Sequence, residues 1–272
     1  MSLTINSNIF SLANQRELNK SSLSVRSAFE KLSSGKRINR AADDAAGAQI
    51  AAALQAEEST FRVAARNISD AVSQLSIADG ALESSQAITT RLSELATQSA
   101  NGTLSDGQRQ ALNAEFQQLR SELDRINQST EFNGRQVLGS TTSVQSGNDS
   151  GANSQTEVVV GDVSSQALGL DTLDISTQGG AQAAVDATRN AVSSIADSRG
   201  EIGAAESRLA TVYSNVQSRA LGSAEARSRI EDADIAAESA NLIAARIRQQ
   251  GGAAVGAQAN LQPELALRLL GS

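Results

Sequence analysis

The sequence has no cysteine, no histidine and no tryptophan, and only one of its 272 residues is proline. Without cysteine and histidine the chain can form no thiol nucleophile, no histidine-assisted serine hydrolase and no His/Cys site for zinc or haem. It also lacks an aspartate-alternating calcium loop, a phosphate loop ending in Lys-Ser/Thr and a G-x-G-x-x-G pattern. We therefore predict no catalytic, metal or cofactor-binding residue, and we do not expect an enzyme.

Aromatic residues are scarce, at 2% of the chain. The apolar residues are consequently mostly Ala, Leu, Ile and Val, which pack well between closely spaced helices, whereas globular interiors usually take bulk from aromatics. Because the single proline is Pro263, almost nothing in the chain interrupts a helix. The composition thus favours a helical bundle or coiled coil.

The formal net charge is −7, which argues against nucleic acid as the main partner. Residues 1–40 nevertheless hold seven basic residues against two acidic ones. This basic segment could bind a membrane or nucleic acid, but it is amphipathic rather than a solid block of charge. We favour pairing with the acidic residues near the other end of the chain, which are Glu231, Asp232, Asp234 and Glu238.

The sequence predicts neither a secretory signal peptide nor membrane insertion. The start, MSLTINSNIFSLANQ, has no basic head followed by an apolar core, and no apolar run approaches the ~18 residues that cross a bilayer. A chain without cysteine fits any redox compartment. Taken alone, these features suggest a cytosolic protein.

Apolar residues that recur every seven positions predict long packed helices. The clearest helix runs from a cap at Asp43 or Asp44 to a stop at Asn101-Gly102. At ~1.5 Å per residue it would be about 80 Å long. Its apolar positions are Leu54, Phe61, Ile68, Leu75 and Leu82.

Three further helices are predicted. The first spans residues 5–33 and stops at Gly35, and another opens at the capping box Ser105-Asp106-Gly107-Gln108. The last begins after Gly179-Gly180, with a break at Gly222 and a soft point at Gly251-Gly252.

Residues from about 133 to 178 change in character. The β-branched segments Ser143-Val144-Gln145 and Thr156-Glu157-Val158-Val159-Val160 flank a turn region rich in Gly, Asn, Asp and Ser, which predicts a β-hairpin with a long loop. The alternative is a disordered linker. We therefore predict a mainly α fold, an elongated antiparallel helical bundle or coiled coil with a small β-hairpin region and a discontinuous coiled coil formed by the two ends.

Both ends carry amphipathic helices whose apolar residues lack a partner elsewhere in the chain. Even when paired with each other they should leave an apolar stripe exposed, which favours repeated, open-ended association with copies of the same chain. The alternative is a coiled-coil signalling module that forms a closed dimer. The residues predicted to form the assembly contacts are Ile5, Ile9, Leu12, Leu18, Val25, Leu32, Ile235, Leu242, Ile247, Leu265 and Leu269.

Several motifs, in order along the chain, resemble those of bacterial flagellin. They are Leu32-Ser-Ser-Gly-Lys-Arg-Ile-Asn-Arg-Ala-Ala-Asp-Asp-Ala-Ala-Gly47, Glu94-Leu95-Ala96-Thr97-Gln98-Ser99-Ala100-Asn101, Glu131-Phe132-Asn133-Gly134, Leu168-Gly169-Leu170-Asp171-Thr172-Leu173 and Ala226-Arg-Ser-Arg-Ile-Glu-Asp-Ala-Asp234. The resemblance covers about residues 1–135 and 165–272. The chain is similar to a short flagellin, because it has no room for variable outer domains.

The resemblance implies a structural subunit, a homopolymer that forms the helical flagellar filament for motility, and it overrides the cytosolic expectation in favour of a secreted, extracellular location. It implies a terminal coiled coil over residues 1–42 and 230–272, a spoke over 34–46, and a helical bundle with hairpin over 43–229. The implied partners are the flagellar export apparatus, an export chaperone, the filament cap and a hook-associated junction protein. The alternative within the same resemblance is that this chain is itself a hook–filament junction protein.

One recognition site is implied by the same resemblance. Arg91, Leu95 and Glu115 match positions through which many flagellins engage the innate receptor Toll-like receptor 5. The alternative is that these residues make subunit contacts or are ordinary charges on a helix surface.

Overall fold

The computed structural model describes residues 8–270, with the backbone alone for residue 152 and residues 262–270. Within this part of the chain there are five α-helices, one short 3₁₀ turn and four short strands. The helices are α1 (Ile9–Ser34), α2 (Ala45–Ser99), α3 (Asp106–Ser129), α4 (Gln178–Glu231) and α5 (Ile235–Leu270). The predicted mainly α class is confirmed.

The predicted caps explain where three of the helices begin or end. Gly35 ends α1 in the left-handed conformation, at φ 71°. Of the two candidate caps of α2, Asp44 has this role, since its Oδ1 accepts from the Gly47 N–H at 2.9 Å. Ser105 and Gln108 form the predicted reciprocal capping box of α3.

The predictions at two glycine positions in the last long helix are wrong. α4 begins at Gln178, so Gly179 and Gly180 lie in its first turn, and it continues through Gly222 without a break. One glycine costs a helix interior only about 1 kcal/mol, which does not end a helix of 54 residues. α5 likewise runs unbroken through Gly251-Gly252.

Two hairpins follow α3. The predicted one pairs β3 (Thr141–Gln145) with β4 (Gln155–Val159), with Thr141 opposite Val159. A smaller one, not predicted, pairs β1 (Glu131–Phe132) with β2 (Arg135–Gln136). Its two-residue turn is Asn133-Gly134, and both residues have positive φ, 53° and 73°. Asn-Gly is the preferred sequence for such a turn.

The chain divides into two compact units, Met1–Ala56 with Gly222–Ser272 and Glu57–Leu221. In the second unit α2 and α4 run antiparallel, because Arg199 pairs with Asp79 at 2.9 Å and Arg219 lies over the ring of Phe61. The predicted heptad residues Phe61, Ile68, Leu75 and Leu82 are buried and face Ile195, Ile202, Leu209 and Val216 in one core cluster. A second cluster joins α2, α3 and the start of α4 around Leu92, Leu95, Phe116 and Leu123.

A polar face of α3 holds the irregular segment that leads from β4 to α4. Asp124 accepts from the Ser165 N–H at 2.7 Å, and Arg120 donates to the carbonyls of Leu170 and Asp171. Two further bonds complete the series: Gln117 donates to the Leu173 carbonyl at 3.0 Å, and Asn113 accepts from the Ile175 N–H at 3.1 Å. The four α3 side chains are spaced by four, three and four residues, so they lie on one helix face.

Among the described helices, none is both long enough and apolar enough to cross a membrane.

Candidate subunit interface

Oppositely charged residues join the two ends of the chain beside the spoke. Lys36 Nζ lies 2.6 Å from Glu231, and Lys31 Nζ lies 4.0 Å from Glu238. The Arg37 N–H donates to the Glu231 carbonyl at 2.6 Å, and its guanidinium donates to the Ile230 carbonyl. The favoured interpretation of the basic segment, pairing with the acidic residues of the other end, is confirmed for Lys31 and Lys36, whereas Lys20 and Arg40 pair with Glu17 and Glu30 of their own segment.

The spoke also carries a carboxylate held by the backbone. Asp43 Oδ2 accepts from the N–H groups of Arg40 at 2.9 Å and Asn39 at 3.0 Å. These two hydrogen bonds stabilise the ionised form and lower the pKa of Asp43 below its ordinary value. The loop between α1 and α2 is thus tied internally by a charged group.

Helices α1 and α5 pair in antiparallel orientation. Asn8 Nδ2 donates to the Ala259 carbonyl at 3.2 Å, Asn14 Nδ2 to the Gly252 carbonyl at 2.8 Å and Ser21 Oγ to the Ala245 carbonyl at 2.6 Å. As residue numbers rise along α1, those of their partners on α5 fall. The pairing of the two terminal helices predicted from the sequence is therefore present.

The seam between α1 and α5 is made mostly of small and polar residues. The buried residues of α1 are Ser21 and Ala28, and the buried residue facing them from α5 is Ala245. The seam follows alternating steps of three and four residues on both helices, as in a coiled coil. Its less exposed positions are Ser11, Asn14, Leu18, Ser21, Val25, Ala28 and Leu32 on α1, and Glu238, Leu242, Ala245, Gln249, Gly252, Gly256 and Ala259 on α5.

Bulky apolar side chains lie on the outer faces of the same two helices. Phe10 is 70% exposed, and its neighbours on these faces are between about half and two thirds exposed. Ordinary coiled coils do the reverse, with bulky residues inside and polar residues outside. The exposed residues are Ile9, Phe10, Leu12, Leu23 and Phe29 on α1, and Ile235, Ile243, Ile247, Val255 and Leu261 on α5.

The predicted assembly residues fall into three groups. Leu18, Val25, Leu32 and Leu242 are half-buried in the seam, and Ile9, Leu12, Ile235 and Ile247 lie on the exposed faces. Ile5 lies outside the described residues, and the side chains of Leu265 and Leu269 are not described.

The sequence analysis gave no role to Phe10, Leu23, Phe29 or Val255, which are among the exposed set. A helical wheel of α1 centred on the small residues Ser21 and Ala28 would have found Leu23, which lies about 160° from Ser21, but not Phe10, which lies about five full turns before Ala28.

The three residues of the implied receptor site are close together in the second unit. Arg91 reaches Glu94 at 2.9 Å and Glu115 at 3.0 Å, and these ion pairs raise the pKa of Arg91. Leu95, one turn further along α2, is only 1% exposed and belongs to the core cluster beneath them. The accessible part of this group is therefore the charged pair, which Leu95 supports from below.

Long helices whose paired ends keep bulky apolar groups on the outside define a self-associating structural subunit. The family model for the bacterial flagellin N-terminal helical region matches residues 5–143, and that for the bacterial flagellin C-terminal helical region matches residues 185–270. A flagellin of Halalkalibacterium halodurans is 36% identical over 271 residues, covering 98% of this chain and all of the relative. A flagellin of Listeria monocytogenes is 32% identical, covering 99% of this chain and all of the relative.

Solved structures agree with this relationship. The crystal structure of Bacillus cereus flagellin is 31% identical with a TM-score of 0.50, covering 56% of this chain and 88% of that one. A flagellar hook-associated protein of Vibrio parahaemolyticus shares the fold at a TM-score of 0.57 over 70% of this chain and all of that one, but at only 14% identity. That likeness shows the fold alone and gives no support to the junction-protein alternative.

The chain belongs to the bacterial flagellin family. It is a structural subunit that polymerises into the extracellular flagellar filament, and it is not an enzyme.

Proposed function

We propose that the exposed apolar faces of α1 and α5 are the contacts through which copies of this chain assemble in the filament core. In this proposal residues 1–42 and 230–272 form the inner layer, the spoke over 34–46 connects it outward, and residues 43–229 form the outer layer. The supporting observation is the inverted arrangement of the terminal pair, with small residues inside and bulky apolar residues outside.

The size of the exposed surface supports this role. Fully burying a Val, Leu, Ile or Phe side chain is worth roughly 1.5–3 kcal/mol, and ten such residues lie on the two faces. Exposed apolar surface on this scale is unusual for a protein that stays monomeric. Covering part of it with neighbouring copies would strongly favour polymer over free subunits.

The test is seeded polymerisation of the full chain carrying Leu23→Ser and Ile247→Ser together. Because both side chains are about 63% exposed in the single chain, folding should be unaffected. If assembly buries them, the double change removes about 1–2 kcal/mol each and raises the critical concentration roughly 30-fold or more. The control is Gln15→Ser with Gln250→Ser, which truncates exposed polar residues of the same helices. Equal critical concentrations for the double variant and the parent chain would refute the proposal.

The proposal extends to the other partners that the resemblance implies. The chain passes through the flagellar export apparatus with an export chaperone, polymerises under the filament cap and joins the hook through a hook-associated junction protein. Support comes from family membership over nearly the whole chain. A pull-down of the full chain with each purified partner tests this extension, and failure to retain any of them would count against it.

We also place recognition by Toll-like receptor 5 on the surface formed by Arg91 and Glu115, with Leu95 beneath it. Arg91→Ala and Glu115→Ala should each lower receptor activation by the monomer in a reporter-cell assay. Leu95→Ala should lower it by loosening the support of the pair. Arg125→Ala is the matched control, since Arg125 forms a similar exposed ion pair with Glu122 on α3. An equal effect of the control and of Arg91→Ala would remove the basis for this site.

A further inference from the structure

In the seam between α1 and α5, two side chains of α1 approach the α5 backbone closely at two glycines. A Cβ atom added at Gly256 would overlap the side-chain amide of Asn14. A Cβ added at Gly252 would lie 3.3 Å from Leu18 Cδ2, tighter than ordinary packing. Gly252 and Gly256 therefore act as two notches, one turn apart, that receive Leu18 and Asn14.

The hydrogen bond from Asn14 depends on these notches. Asn14 Nδ2 donates to the Gly252 carbonyl at 2.8 Å, and this contact is possible because neither facing residue carries a side chain. Close helix approach at small residues spaced by four is a known way to bring side chains of one helix within reach of the other backbone.

The notches distinguish one register from its neighbours. If α5 slid by one heptad, Leu18 would face Ala245 or Ala259 instead of Gly252, and Asn14 would face Gln249 or Pro263 instead of Gly256. Each of these residues carries a Cβ, so Leu18 and Asn14 would have to shift away from it and the Asn14 hydrogen bond would be weakened. A slip would also break the Lys31–Glu238 ion pair and the Gln249–Ser22 hydrogen bond, but the small seam residues Ser21, Ala28 and Ala245 would tolerate it, because small side chains repeat there every seven positions.

We propose that Gly252 and Gly256, with Leu18 and Asn14 as their knobs, select the single register in which α1 and α5 pair, and thereby fix where the outer apolar residues lie for a neighbouring copy. They are positioning residues, because they act through the alignment of the exposed faces. This inference rests on the proposed role of those faces in assembly. The new element is that the register of α1 against α5 is set by two glycines, which have no side chain, and not by large apolar residues in the seam.

Disulfide trapping can read the register directly, because the chain has no cysteine of its own. Gln249 Nε2 contacts Ser22 Oγ at 3.0 Å, so Ser22→Cys with Gln249→Cys reports the native register. Gln15→Cys or Phe29→Cys with Gln249→Cys reports a slip of one heptad in either direction. Each pair is placed in the full chain, oxidised in solution and in polymerised form, and separated on non-reducing gels into intrachain and interchain products.

The deciding variant is Gly252→Ala with Gly256→Ala, and its matched control is Gly251→Ala. All three changes raise helix propensity by a similar amount, but Gly251 has no atom within 4 Å of the position of an added Cβ. In the deciding variant the ratio of native to slipped cross-links should fall by about fivefold or more, which corresponds to the loss of one typical intramolecular hydrogen bond. The control should keep the parental ratio. Asn14→Ala added to the deciding variant should lower the ratio little further, since the Asn14 hydrogen bond is already lost there.

Three results would overturn the inference. The first is an unchanged ratio in the deciding variant, and the second is an equal fall in the Gly251→Ala control. The third is loss of all cross-links, which would show that the glycines permit pairing without choosing its register. None of these depends on the Leu23 and Ile247 variants, whose critical concentration tests the proposed function separately.

Discussion

Two serines on the same face of α2 should respond in opposite directions to the same substitution. Ser85 and Ser99 are two heptads apart, and both are 0% exposed. Ser99 Oγ donates to the Ile175 carbonyl at 2.6 Å. Ser85 Oγ is buried with no hydrogen-bond partner among the described residues. Replacing each by alanine therefore removes a satisfied hydroxyl in one case and an unsatisfied one in the other.

The expected magnitudes follow from the cost of buried polar groups. Ser99→Ala should lower the free energy of unfolding by about 1–3 kcal/mol, because it leaves the buried Ile175 carbonyl without this donor. Ser85→Ala should raise it by about 1–2 kcal/mol, because a hydroxyl without a partner costs roughly that much to bury. The higher helix propensity of alanine adds a few tenths of a kcal/mol in both variants.

Thermal unfolding followed by circular dichroism measures both changes. For a unit of the size of Glu57–Leu221, one kcal/mol corresponds to a Tm shift of about 2–4 °C. Ser85→Ala should therefore melt a few degrees above the parent chain and Ser99→Ala a few degrees below it. The reasoning is refuted if both variants shift in the same direction, because residue type, helix and burial are matched. The one other difference is that Ser99 is the last residue of α2, where helix propensity counts for less.

Three further predictions concern helix ends and the spoke. Ser105→Ala should cost about 1 kcal/mol, seen as lower hydrogen-exchange protection in the first turn of α3, whereas Ser105→Asp should keep most of it. Asp43 has a lowered pKa in the folded chain, so its contribution is present above the unfolded value near 3.9 and is lost as the pH falls through the folded value. The amides of Arg40 and Asn39 should therefore lose protection below about pH 4, and Asp43→Ala should remove that protection at every pH; protection that is insensitive to pH would contradict this assignment. Gly47→Ala should loosen the start of α2, because the new Cβ would lie 2.7 Å from Ile38 Cδ1 and still closer to the Asp44 carboxylate. Unchanged hydrogen exchange of the first-turn amides of α2 would show that the spoke adjusts freely.

Heptad spacing predicted the bundle well because its helices pack in the usual way. The heptad residues Phe61, Ile68, Leu75 and Leu82 on α2 are buried in one cluster with residues of α4, so the pattern in the sequence and the buried face coincide. The caps at Asp44 and Ser105 were predictable for the same reason, since each depends on residues within one turn.

The terminal helices show where the same rule stops. Leu18, Val25 and Leu32 are seven apart and lie in the seam, but Leu12 is six residues before Leu18 and so lies about 120° away around the helix. Leu242 and Ile247 differ in the same way, with one in the seam and the other exposed. Periodicity groups residues by face, but it does not state which neighbour covers that face. Where the buried seam between two helices consists of small residues, a large apolar side chain no longer indicates a buried position.

The irregular parts were hardest to predict. The turn Asn133-Gly134 carries the strongest short-range hairpin signal, yet its strands have two residues each and no alternating pattern. The buried position of Leu95, which changes what the Arg91 group presents to solvent, depends on packing from Phe116 and the start of α4. Neither fact is local in the sequence.

The row of polar side chains on α3 has a consequence for how this chain can vary in length. Four side chains of α3 each form hydrogen bonds with a different part of the main chain between Ser165 and Ile175. They are Asp124, Arg120, Gln117 and Asn113. The spacing of these side chains along α3 therefore fixes the length of the segment. Adding or removing one residue there would move every later backbone group away from its hydrogen-bond partner on α3. Among the described contacts, no such series of hydrogen bonds joins α3 to the exposed tip between β3 and β4. Insertions should accumulate at that tip, while the eleven residues from Ser165 to Ile175 keep their number.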